Sequence, residues 1–239
     1  MSKKNAQASR TERAAEAMRQ QQRQEARRRN LMIGGVVGLL VVLVGLGIVW
    51  MAASDDSDDI AAPAAGSAYG LTIGDSDEHE VVVYEDFFCV HCADLEEASA
   101  DDLQRLAEEG KVTVEYRPIA FLGDYSVRAA NAFKVVLDEA GPEAAQKFHN
   151  LVFERYEDAA QSRDGLDDDT LVELAVEAGA DEADVRPGIE DLAAANWVEE
   201  ASKAASDAGV QGTPTVLLDG KRVEGTTEDI ADSLRESLQ

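Results

Sequence analysis

The polar and apolar positions divide the chain into blocks. Residues 1–30 are polar, rich in Arg, Gln and Ala, and carry no apolar face, so disorder is expected there. Residues 31–53 then run without a single charge, from Leu31 to Ala53. A bilayer core needs about 20 such residues, so the stretch is long enough to span one. Residues 54–70 are rich in Ser, Asp, Ala, Pro and Gly and read as a linker. From Leu71 onward the pattern is that of a folded domain. Leu71-Thr72-Ile73 and the continuous β-branched run from Val81 to Tyr84 predict strands. A helix from the following Cys motif to about Glu109 is ended by Gly110. Lys111 to Arg117 alternates through Val112, Val114 and Tyr116 and predicts a strand closed by Pro118. Residues 124–208 have helical periodicity, with helices expected at Tyr125–Ala140, Pro142–Asp158, Asp168–Ala178 and Gly188–Ala208. Pro142 and Pro187 are placed near helix starts, where a missing N–H costs nothing. Strands at Thr215–Leu218 and Arg222–Glu224 flank the turn Asp219-Gly220, and a helix from about Thr227 to Leu238, capped by Thr226 or Thr227, ends the chain. The order is β-β-α-β, a helical block, then β-β-α.

Charge sharpens the reading of the first two blocks. The net charge of -26 is divided: residues 1–30 hold nine Lys/Arg and three Glu, and the rest holds 13 Lys/Arg against 45 Asp/Glu. Arg27, Arg28 and Arg29 abut the apolar run, and Asp55, Asp56, Asp58 and Asp59 follow it. The positive-inside rule then puts a basic tail in the cytoplasm, a single transmembrane helix at 31–53 and the acidic domain outside, with Trp50 at the outer interface. A cleaved signal peptide is the competing reading. Its apolar region is usually about 7–15 residues, shorter than this one, although small residues at 61–65 would permit cleavage. Arg28-Arg29-Asn30-Leu31-Met32 also echoes a twin-arginine export signal. The acidic domain would repel nucleic acid, whose phosphates need Lys and Arg. A solvated acidic surface that favours solubility and high salt is the simplest account of it.

Chemistry is concentrated in the only two cysteines, in Cys89-Val90-His91-Cys92. Cysteines this close enclose too little chain to staple a fold. A tetrahedral zinc site needs four ligands, and His79, His91 and His149 offer no second pair at metal-ligand spacing. Ligand arithmetic therefore favours a redox dithiol over a metal site, with no metal or organic cofactor expected. At a strand-to-helix junction, Cys89 would sit at a helix N-terminus, where unpaired N–H groups favour a thiolate. Cys92 would lie one turn further in and less exposed. Cys89 is thus the expected nucleophile and Cys92 the resolving thiol. His91 is expected to modulate the thiolate, with a solvent-facing spacer as the alternative. His149 is read as a packed or surface histidine, His79 as exposed, Trp197 as core, and Asp167-Asp168-Asp169 as a helix start.

The segments Asp86 to Cys92, Tyr116 to Leu122 and Gly209 to Thr215 together resemble the DsbA-like thioredoxin family of extracytoplasmic thiol–disulfide oxidoreductases, its membrane-anchored members above all. The resemblance covers roughly residues 71–239. It implies an α/β fold, a thioredoxin core with a helical insert at about 124–208. It implies that Pro214 is a cis-proline facing Cys89 and that Thr213 offers backbone hydrogen bonds to an extended substrate. It implies exported proteins with Cys pairs as substrates and a quinone-linked membrane partner for reoxidation. Two positions depart from the family. Val90 stands where many members have Pro, which bears on the redox potential. Val83 stands where many thioredoxin-like proteins have a buried acid. Glu85 and Asp86 are alternatives for proton transfer, each equally readable as a solvated carboxylate, and neither is counted as catalytic. A reductase or isomerase of the same fold, or a thiol-based metal carrier or anchored binding module, are the rival functions.

Overall fold

Three valines and a tyrosine, Val81 to Tyr84, are each buried in β2 (Glu80–Glu85). A strand with no polar alternation must be covered on both faces, so it belongs at the centre of a sheet. In the computed structural model, which describes residues 68–238, that is where it lies. The basic tail, the apolar segment 31–53 and nearly all of the linker fall outside the described residues. Among the described residues no helix is long and apolar enough to cross a membrane.

The sheet order is β1-β3-β2-β4-β5. β2 pairs in parallel with β3 (Thr113–Pro118), Val81 opposite Val114, and antiparallel with β4 (Thr215–Leu218), Val83 opposite Val216. β1 (Leu71–Ile73) runs antiparallel along β3. β5 is only Lys221–Arg222, shorter than and offset from the expected Arg222–Glu224, and pairs antiparallel with β4. Asp219 and Gly220 between them both have positive φ, 51° and 74°, the conformation that a two-residue hairpin turn requires.

Helix α1 (Val90–Glu108) makes the crossover from β2 to β3. Its Leu95, Leu103 and Leu106 pack with Ile230 and Leu234 of the last helix on one face of the sheet. The helical block leaves from β3: α2 (Asp124–Glu154), α3 (Tyr156–Gln161), α4 (Asp168–Ala178), α5 (Glu182–Glu190) and α6 (Ala195–Asp207), followed after β5 by α7 (Thr227–Ser237). α2 is interrupted at Gly141 (φ 85°, ψ 178°), so the expected break before Pro142 is present. α4 matches the expected Asp168–Ala178, with the Asp167 side chain accepting from the Thr170 N–H. The Thr226 cap of α7 is completed by Asp229.

Two helix boundaries are corrected. The expected Pro142–Asp158 ends earlier, and the chain restarts at Tyr156. The expected Gly188–Ala208 is two helices, and Pro187 lies inside α5 rather than at a start. Asp181 explains this: its side chain accepts from the Ala183 N–H and starts α5 six residues before Pro187. The chain then reverses through Leu192, at φ 54°.

The apolar core of the helical block runs without interruption to the cysteines. Phe133, Phe148, Leu171, Ile189 and Val198 belong to one buried cluster with Phe87, Cys89 and Cys92. The dithiol thus stands where the block meets the sheet.

Candidate active site

β2 delivers the chain to the site, and Asp86 arrests it there. The Asp86 carboxylate is buried, and Oδ1 accepts from the Phe88 N–H at 2.9 Å. Oδ2 accepts from the N–H groups of Phe121 and Leu122 at 2.8 and 3.1 Å. One side chain thereby fastens the turn before Cys89 to the segment after β3. The Asp86 carbonyl accepts from the Cys89 N–H at 2.9 Å. Phe87 packs into the helical block against Phe153 and Phe133, with ring centroids 5.1 and 6.1 Å away.

Cys89 caps the N-terminus of α1, and its carbonyl accepts from the Cys92 and Ala93 N–H groups, both at 3.1 Å. Both cysteines are free thiols. The Cys89 thiol donates to the Thr213 carbonyl at 3.3 Å, and the Thr213–Pro214 peptide bond is cis. A loop 124 residues downstream therefore faces the first cysteine. Cys92 is 1% exposed, and its Sγ accepts from the Asp86 N–H at 3.5 Å.

These surroundings separate the two thiols. A hydrogen bond from Cys92 is the largest cause holding Cys89 down at about 6; burial opposes it, and the Thr213 side chain and the N–H groups of Cys92 and His91 add to it. Burial pushes Cys92 well up, and the Cys89 charge pushes it further. The lowering expected from the helix terminus is present, but the neighbouring thiol contributes more than the backbone. His91 acts on Cys89 through its backbone N–H. Its ring is exposed and lies 3.5 Å from Asp94 Oδ2. Val90 is an exposed apolar side chain beside Cys89.

The reading of Glu85 and Asp86 as solvated carboxylates is corrected: both are buried. His149 is fully buried, and its Nε2 lies 2.5 Å from Glu85 Oε1. Its Nδ1 faces Asn150 Oδ1 at 3.0 Å and Glu96 Oε2 at 3.9 Å. Burial alone would lower the imidazole; the Glu85 carboxylate overrides it and lifts His149 to about 9. Glu96 is raised, chiefly by burial. Glu85, Glu96 and His149 bring potential metal-ligating atoms within 4.8 Å of one another. Both ring nitrogens face oxygen acceptors, however, which is the arrangement of an imidazolium and leaves no lone pair for a metal. Sequence reasoning missed this cluster. The one available signal was Glu96, four residues after Cys92 and so on its face of α1. Of the other singled-out residues, His79 pairs with Asp219 at 3.0 Å, and Trp197 is half-buried, donating to the Ala68 carbonyl.

A family model described as thioredoxin matches residues 67–236. The chain belongs to the thioredoxin family. No curated protein sequence matches it. Solved structures do. Reduced DsbA from Mycobacterium tuberculosis is 26% identical, covering 72% of this chain and 100% of its own, with a TM-score of 0.58. A reduced disulfide bond oxidoreductase (DsbG) from the same organism is 27% identical, covering 77% and 92%, with a TM-score of 0.61. MdbA, a thiol-disulfide oxidoreductase from Actinomyces oris, is 24% identical, covering 77% and 97%, with a TM-score of 0.61, and shows the fold alone. This thioredoxin-family domain thus carries the helical insertion on the same core as DsbA-type proteins, and its cysteines and cis-proline meet at the junction.

Proposed function

We propose that the chain is a membrane-anchored thiol–disulfide oxidoreductase that oxidises Cys pairs of exported proteins outside the cytoplasm. The observation that carries the exchange chemistry is the split between the thiols: Cys89 held near 6 at a helix N-terminus opposite the cis-proline, Cys92 buried behind it and raised. The apolar segment 31–53 and its flanking charges support the location.

In the oxidised protein a substrate thiolate attacks Cys89 Sγ. The Cys89–Cys92 bond breaks, and its electron pair leaves on Cys92, which takes up a proton. A second substrate thiolate then attacks the substrate sulfur of the mixed disulfide. Cys89 leaves as a thiolate and stays ionised at neutral pH. Two electrons pass from the substrate dithiol to the protein. A membrane protein linked to the quinone pool would take them on. Thr213, beside Cys89, and Pro214 would receive the substrate backbone as a short added strand.

The test is the potential of the Cys89–Cys92 pair together with a trapping variant. Attacking cysteines near 7 and near 3.5 go with potentials of about -270 mV in thioredoxin and about -120 mV in DsbA. A potential above about -180 mV supports an oxidase, and one near -270 mV moves the assignment to a reductase. Cys92→Ser should accumulate mixed disulfides through Cys89, and Cys89→Ser should abolish exchange. An active Cys89→Ser chain would sink the assignment.

A further inference from the structure

Beside the dithiol lies a groove of about 450 Å³ between α1, the end of α2 and the start of α3. Six carboxyl side chains line it: Asp94, Glu96, Glu97 and Asp101 from α1, and Glu154 and Glu157 opposite. Asp94, Glu97 and Asp101 recur at spacings of three and four, so they share one face of α1. No Lys or Arg is among the lining residues. Elsewhere on α1 the carboxylates have cations: Asp102 pairs with Arg235 and Arg105, and Glu109 with Arg105 and Lys111. At the floor is Glu96, 6% exposed, with neither carboxyl oxygen hydrogen-bonded. Its nearest cation, His149, stands 3.9 Å away and is engaged by Glu85 and Asn150. Burial holds Glu96 up at about 8, so at neutral pH it keeps its proton until a cation arrives; an ammonium or guanidinium group brings both the donors and the charge that would let it ionise.

The groove starts one residue beyond the dithiol, and neither cysteine lines it. Ala93 and Asp94, directly after Cys92, form its near end. Tyr156 on its far wall is close enough that the Cys89 thiolate, after burial, helps to raise its hydroxyl. Residues flanking a substrate cysteine joined to Cys89 would therefore lie over it.

We propose that this groove is a specificity site that takes a Lys or Arg side chain of the substrate polypeptide. The proposal rests on the disulfide-exchange reading and names the substrate class within it. The substrates it favours carry a basic residue close to the cysteine that is oxidised.

The test uses the oxidised full-length chain in a neutral detergent and two-cysteine peptides that differ only in the flanking residues: Lys, Gln or Glu. Each peptide dithiol is oxidised at the expense of the protein's own disulfide, so no other oxidant is needed. At low ionic strength the Lys peptide should react about tenfold faster than the Glu peptide, and salt should shrink the ratio. In Glu97→Gln/Asp101→Asn/Glu157→Gln the ratio should fall toward one. In Glu173→Gln/Glu177→Gln/Glu199→Gln, which neutralises three exposed carboxylates outside the groove, it should persist. An equal loss in both triple variants would assign the preference to the general acidic field and overturn the site. So would no preference in the wild type, or stoichiometric Ca²⁺ binding that the groove variant loses and that leaves peptide rates unchanged. Uncharged dithiothreitol separates the two levels: wild-type failure to oxidise it would overturn disulfide exchange itself, whereas its oxidation without peptide preference overturns only the groove.

Discussion

Cys89 and Cys92 are the same residue type one helical turn apart, and their surroundings drive them in opposite directions. With Cys89 near 6, its alkylation by iodoacetamide in the reduced protein should rise with pH to a plateau with a midpoint close to 6. A free thiol would give a midpoint of about 8.5. Cys92 should remain unmodified across that range, because burial both raises and hides it. A midpoint above 8 for Cys89 would remove the basis for a thiolate at neutral pH. Asp86 makes a second residue-scale prediction. Asp86→Ala leaves the N–H groups of Phe88, Phe121 and Leu122 without their acceptor. A loss of about 3 kcal/mol in denaturant unfolding is expected, together with slower exchange. The dithiol was legible in the sequence because its chemistry follows from residue type and spacing; Pro214 was legible only through the family resemblance, since an X-Pro bond taken alone is expected to be trans. Asp86 was not, because a carboxylate beside a motif reads as solvated until its acceptors are known to meet N–H groups 35 and 36 residues away.

Elements were legible where local signals and tertiary packing agree. β2 is unbroken by polar residues and central; α1 ends where Gly110 takes φ 71°; α4 begins at its Asp cap. They were misread where one local signal outweighed another. Pro187 suggested a start, but the Asp181 cap six residues earlier set the actual one, and α5 accommodates the proline in its interior. The loop before α4 gives a test at this scale. Gly165 has φ 69°, and a Cβ there would stand 2.2 Å from Tyr125 Cγ. Tyr125 in turn packs edge-on against Phe88, with ring centroids 5.0 Å apart, next to Cys89. Gly165→Ala should therefore cost about 1–3 kcal/mol in thermal or denaturant unfolding and disturb the Cys89 alkylation rate as well. An unchanged rate in a destabilised variant would show that the loop supports the insert without reaching the site.

At the scale of the whole domain, the helical block and the sheet are held together by charge as well as by apolar packing. His149 comes from the block, Glu85 from the end of β2 and Glu96 from α1, so the cluster joins three elements distant in sequence. That distance is why a helical histidine in an amphipathic pattern gave no hint of an ion pair. His149 is raised from its ordinary 6.5 to about 9 because the folded state holds its charge against Glu85. A raised folded value means the contribution is fully present below about pH 6.5 and is lost as pH rises through 9. His149→Phe keeps an aromatic ring against Tyr116 and Phe153 but leaves the Glu85 carboxylate buried without its cation. Removing one partner of a buried pair costs about 3–5 kcal/mol. Denaturant unfolding from pH 6 to 10 should then show a gap between wild type and variant that is widest at the acid end and narrows above pH 9. A gap independent of pH would mean that His149 acts by shape alone, and the junction beneath the dithiol would have to be explained by packing without the ion pair.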